Sequence, residues 1–179
     1  TVFSIVDAGL LRPLPYAHPE QLVEVWSRAA TEGSSGRAVS YPDFFDWRAQ
    51  NRSFSHLVSY EGDSGTLTGV ERAVHLDGEI VSWGLLPLLG VHPALGQGFR
   101  PEDEKLGARV VLISHALWVS QFGSDPAVVG RTMHLSGQDY TIAGVMPPSF
   151  RFPVNAPQND YWTTLAVVND GTPSAATAN

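Results

Sequence analysis

Leu85-Leu-Pro-Leu-Leu-Gly-Val-His-Pro-Ala-Leu-Gly-Gln-Gly-Phe99, Val110-Val-Leu-Ile-Ser-His-Ala-Leu-Trp118, Asp125-Pro-Ala-Val-Val-Gly-Arg-Thr-Met-His-Leu135 and Tyr140-Thr-Ile-Ala-Gly-Val-Met-Pro147 follow one another in this order along the chain. Glycines and prolines fall between the apolar runs, so each run reads as one short element and each Gly or Pro as a boundary. Residues 82–89 form a short helix in this reading, and residues 110–113 form a strand that is apolar throughout. Ser114 caps a helix that carries Trp118, Val119 and Phe122 on one face and stops at Gly123. Residues 132–135 and 140–145 are two strands joined across Ser136-Gly-Gln, a hairpin signal. A definite order of elements without catalytic apparatus suits a scaffold that docks or transmits force.

Upstream of this stretch, residues 54–60, 66–70 and 73–81 are short β-like runs separated by glycine-bearing acidic turns, which predicts an antiparallel meander. Earlier still, Ser40-Tyr-Pro-Asp opens a helix: Ser40 caps it, Pro42 occupies the first turn, and Asp43 and Asp46 sit near the positive end of its dipole. Tyr41, Phe44 and Phe45 share one face of that helix. Residues 22–26 alternate as a strand, residues 30–38 read as a loop, and residues 12–19 as a proline-stiffened connector. The apolar residues 1–11 begin without a methionine and lack a basic flank or a cleavage site, so they are not a signal peptide. They fit either an amphipathic first helix or the trailing end of a longer hydrophobic one. Downstream, residues 161–168 supply a last strand and residues 170–179 an unstructured Ser/Ala/Thr tail.

The 179 residues suffice for one compact domain or two small subdomains. With 43% hydrophobic and 16% charged residues the chain is globular, not disordered. A net charge of −7, with Lys105 the single lysine and the arginines scattered, excludes a nucleic-acid backbone as partner. The absence of cysteine removes disulfides, thiolate nucleophiles and Cys-based zinc sites together. No internal window reaches the roughly 18–20 apolar residues of a membrane span. Residues 80–95 come nearest, but two prolines, a serine and a histidine interrupt them.

Catalytic motifs fail on inspection. Gly62-Asp-Ser-Gly matches the surroundings of a serine-protease nucleophile, but Thr66 stands where that family has another glycine, and no histidine base motif accompanies Ser64. An acidic-glycine turn is the simpler reading. His18, His56, His75, His92, His115 and His134 are too far apart in sequence for a local ligand pair. His115 falls in the first turn of its helix, and His134 faces solvent on its strand. Glu102-Asp-Glu lacks the alternating oxygen ligands and central glycine of a calcium loop and fits a helix start after Pro101. No phosphate-binding loop is present, since Gly33-Ser-Ser-Gly is not followed by a lysine. No catalytic residue, metal ligand or cofactor-binding residue is therefore assigned, and no cofactor. Trp26, Trp47, Trp83, Trp118 and Trp162 could line a ligand cleft, although large aromatics are usually core.

The order of motifs carries a resemblance. Phe3-Ser-Ile-Val, Leu10-Leu-Arg-Pro-Leu-Pro-Tyr, Ser40-Tyr-Pro-Asp-Phe-Phe-Asp-Trp-Arg and Asn51-Arg-Ser-Phe resemble bacterial ABC-transporter permeases of the MacB/FtsX-like class. Gly90-Val-His-Pro-Ala-Leu-Gly-Gln-Gly-Phe, Val111-Leu-Ile-Ser-His-Ala-Leu-Trp, Val129-Gly-Arg-Thr-Met and Ile142-Ala-Gly-Val-Met-Pro-Pro-Ser-Phe extend it to about Leu165. The closer likeness is to the duplicated permeases of acidobacteria. The resemblance implies an α+β, two-part MacB-like periplasmic domain, with a porter-like αβ part and a β-rich second part. Residues 1–15 would then be the exit of a transmembrane helix and a connector. Residues 16–168 would be the periplasmic core domain, with 16–52 porter-like and 53–168 mainly the second subdomain, followed by a disordered tail at 169–179. The tail stands where the family usually continues into another αβ segment, which would leave an apolar edge open to pairing. The resemblance further implies a non-catalytic, extracytoplasmic domain of an inner-membrane protein that couples helix movement to periplasmic contacts in efflux or mechanotransmission. Its partners would be a second permease copy, an ATP-binding subunit and a periplasmic adaptor protein. The alternative is a soluble periplasmic module that binds a ligand or a protein.

Overall fold

The computed structural model describes residues 4–6, 16, 18–26, 39–154 and 157–169. The chain divides into two compact units, Thr1–Leu57 and Val58–Asn179.

In the first unit, β1 (Ser4–Val6) pairs antiparallel with β2 (Glu24–Trp26), with Ile5 opposite Val25. Where a helix is expected over residues 1–11, Ser4–Val6 form a strand; the other residues of that range lie outside those described. Helix α1 (Tyr41–Gln50) begins as the sequence predicts: the Ser40 hydroxyl accepts the Asp43 N–H at 3.3 Å and donates to Asp43 Oδ2 at 2.8 Å. Phe44 is buried and Phe45 packs at 5.6 Å from its ring, while the Arg48 guanidinium lies 5.3 and 5.1 Å over the two rings. Asn51 then closes a turn, since its Oδ1 accepts the N–H groups of Ser53 and Phe54 and its Nδ2 donates to the Phe54 carbonyl at 2.7 Å. This Asx-closed turn engages the backbone that a strand would need, so residues 54–59 are irregular where a strand is expected.

The second unit contains β3 (Tyr60–Thr68), β4 (Val74–Val81), α2 (Leu85–Leu89), β5 (Leu95–Gly96), β6 (Val110–Ile113), α3 (His115–Phe122), β7 (Thr132–Leu135), β8 (Gln138–Val145), β9 (Tyr161–Thr164) and α4 (Ala166–Asn169). The strands pair in the circuit β8-β6-β9-β4-β3-β7 and back to β8, which closes a six-stranded barrel of mixed direction. β6–β8 and β4–β9 are parallel, and the remaining pairs of the circuit are antiparallel. β8 makes closure possible because it is long. One side pairs with β6, while the other pairs with β7 through Gln138–Thr141 and with β5 through Gly144 and Val145. Between Val111 and Leu112 the β6 register slips past one residue of β8, leaving Ala143 over. The Ala143 carbonyl accepts instead from the Gln97 N–H at 3.0 Å. Closure removes the unpaired edges that an open sheet would present.

Inward-facing Leu67, Leu76, Val111, Met133, Ile142 and Tyr161 fill the barrel. Helix α3 packs Leu117 onto this core, with Trp118 and Phe122 flanking it. It begins where the sequence predicts, with the Ser114 hydroxyl accepting the Leu117 N–H at 3.0 Å. Val119, expected on the packed face, is 47% exposed, because the helix turns Leu117 inward instead. The hairpin at Ser136-Gly137 forms as read, with both residues at positive φ. Residues 161–168, expected as one strand, split after Thr164 into β9 and α4.

The correction with most consequence lies in β3. Gly62-Asp-Ser-Gly, expected as a turn, is the middle of a regular strand paired with β4 from Tyr60–Val81 to Leu67–Val74. Gly65 serves packing: a Cβ there would lie 2.7 Å from the Leu135 side chain of β7. Gly78 of β4 serves the same purpose more strictly, since its Cβ would fall 2.4 to 2.7 Å from the Tyr161 ring. That ring is wholly buried and has nowhere to go. Gly78→Ala should therefore cost about 2 kcal/mol or more by overpacking, read as a lowered denaturation midpoint. Tyr161→Leu in the same chain should recover part of that loss, whereas strictly additive costs would contradict the contact.

Candidate functional site

Residues singled out in the sequence do not converge. Ser64 is half-buried in mid-strand opposite Asp77, in a run paired residue for residue with β4, so no turn presents it as a nucleophile. His75 lies 3.8 Å from Asp77 on the outer face, His134 pairs with Asp139 at 2.6 Å across the β7–β8 hairpin, and His115 stacks edge-on with Trp118 at 5.4 Å. His18 pairs with Glu20, and His56 and His92 are exposed. Among the described residues no group of three or more His, Asp or Glu is placed to hold a metal ion. Glu102–Glu104 lie in a short 3-10 helix, Pro101–Glu104, in which Asp103 accepts the Arg100 N–H at 2.8 Å and Glu104 the Trp83 N–H at 2.8 Å. In the second unit the tryptophans are tied to different segments. The Trp118 indole donates to the Asp125 carbonyl and that of Trp162 to the Phe152 carbonyl.

The unusual chemistry lies instead where β9, β4 and β3 run side by side. Tyr161, Gly78 and Asp63 are direct neighbours across these three strands. Because Gly78 has no side chain, the Tyr161 ring lies across it and the hydroxyl donates to Asp63 Oδ2 at 2.9 Å. Burial pushes the Asp63 carboxyl above its usual range, opposed by hydrogen bonds from Tyr161 and the Ser64 N–H. Burial and the neighbouring Asp63 carboxylate both hold the Tyr161 phenol well above its ordinary value, so it stays a donor.

One residue further along, Trp162, Glu79 and Gly62 are neighbours in the same way. Successive strand residues point to opposite faces, so this second trio lies on the outer wall. Glu79 is nonetheless only 6% exposed. Its Oε1 accepts from Asn159 Nδ2 at 3.3 Å, and its Oε2 is buried without a hydrogen-bond partner. Asn159 Nδ2 also donates to the Phe152 carbonyl at 3.1 Å, which accepts the Trp162 indole at 3.4 Å. Phe150 meets Trp162 edge-on at 5.0 Å, and Phe152 meets Tyr60 in the same way at 5.0 Å. Burial raises the Glu79 carboxyl to about 7, helped by the charges of Asp63 and Glu61 and opposed by the Asn159 amide. The sequence did hold a signal for this site: Gly78-Glu-Ile-Val places an acid inside a run that is buried on both faces.

The arrangement buries a carboxylic acid in the outer wall of the barrel. The described residues thus comprise a closed mixed barrel in the second unit and a smaller first unit with one α-helix and one strand pair. The chain is similar in fold to the extracellular domain of the noncanonic ABC-type transporter YknZ from Gram-positive bacteria, with a TM-score of 0.61, 16% identity, and coverage of 76% of this chain and 69% of that one. It is also similar to the periplasmic region of MacB from Actinobacillus actinomycetemcomitans, with a TM-score of 0.55, 13% identity, and coverage of 70% of this chain and 56% of that one. No curated protein matches it. The chain belongs to the MacB-like periplasmic core domain family, whose profile matches residues 1–178. It is thus a domain of an ABC-transporter permease, α+β and extracytoplasmic. Among the described residues no helix is long and apolar enough to cross a membrane.

Glu79 gives this wall a pH signature. The folded chain holds the proton more tightly than the unfolded chain, whose carboxyl titrates near 4.5. The contribution of Glu79 to stability is therefore fully present below that pH and is lost as pH climbs to about 7. Thermal melts should show wild type falling behind Glu79→Gln between these limits. A stability difference that does not change with pH would contradict the buried carboxylic acid.

Proposed function

We propose that this domain is non-catalytic and passes movement of the permease's membrane helices to contacts outside the membrane. Membership of the MacB-like periplasmic core domain family carries this reading. The construction of the second unit supports it. Six strands closed into a circuit around one core move as a body, because no strand can leave without breaking pairings on both sides. Coupling needs such bodies with different contacts in each of two states. The partners in this reading are a second permease copy, the ATP-binding subunit that drives the cycle, and a periplasmic adaptor protein. The domain would sit on the periplasmic or equivalent outer side, anchored to the inner membrane by the rest of the permease.

The test uses the intact permease with its ATP-binding subunit in lipid. In a transporter otherwise free of cysteine, Leu106→Cys and Val119→Cys, at sites 70% and 47% exposed, each carry one spin label. Pulsed electron-spin distances between two copies should shift between the nucleotide-free and the ATP-trapped transporter. Identical distance distributions in both states would contradict coupling through this domain.

A further inference from the structure

We draw no further inference here: the strongest candidate, the cluster of acidic side chains that Glu61, Asp63, Asp77 and Glu79 form on the paired strands β3 and β4, belongs to the site already described, and nothing among the described residues points to a ligand for it.

Discussion

Tyr161 lying across Gly78 to reach Asp63 is the contact on which the second unit depends. It joins β9 to β3 and β4, which lie far from it in sequence, and fixes the register of all three at one point. The ring needs a glycine beneath it, the hydroxyl needs an acceptor beyond it, and both needs are met only when β9, β4 and β3 align as they do. A hydrogen bond to a carboxylate in such surroundings is worth about 1.5–3 kcal/mol. Among the described residues Tyr161 is also the largest wholly buried side chain. A one-residue slip would carry the tyrosine to the outer face and set Trp162 against the interior.

The same alternation makes the outer trio. With Tyr161, Gly78 and Asp63 inside, Trp162, Glu79 and Gly62 must lie outside, where Phe150 and the Phe152 carbonyl meet Trp162 and Asn159 meets Glu79. Glu79 is thus buried by what is laid over the sheet, not by the sheet itself. Its Oε2 is buried without a hydrogen-bond partner.

Much of this was legible in the residues. Ser114 and Gly123 bound α3, Ser40 and Pro42 start α1, and Ser136-Gly137 turns β7 into β8, because caps and turns act locally and leave local marks. The family was legible from motif order for the same reason. Elements decided by distant partners were not. Gly62-Asp-Ser-Gly looks like a turn, since glycine beside acids usually is one. Gly65 is instead there for Leu135, 70 positions away, and Gly78 for Tyr161, 83 positions away. Residues 54–59 have the composition of a strand, but the side chain of Asn51 holds the Phe54 backbone in a turn at their start. Glu79 is buried with the help of Asn159, 80 positions away, and no local pattern announces that contact. Closure itself has no local mark, since it depends on β8 being long enough to pair on both sides.

Nuclear Overhauser contacts across the β7 seam test the closed circuit most directly. Backbone contacts linking Leu67 with Leu135 and Thr132 with Thr141 should appear together in one folded species, with the amides of β8 exchanging only on global unfolding. Finding either set without the other, or a β8 whose β7-facing amides exchange rapidly, would show an open sheet and contradict the barrel.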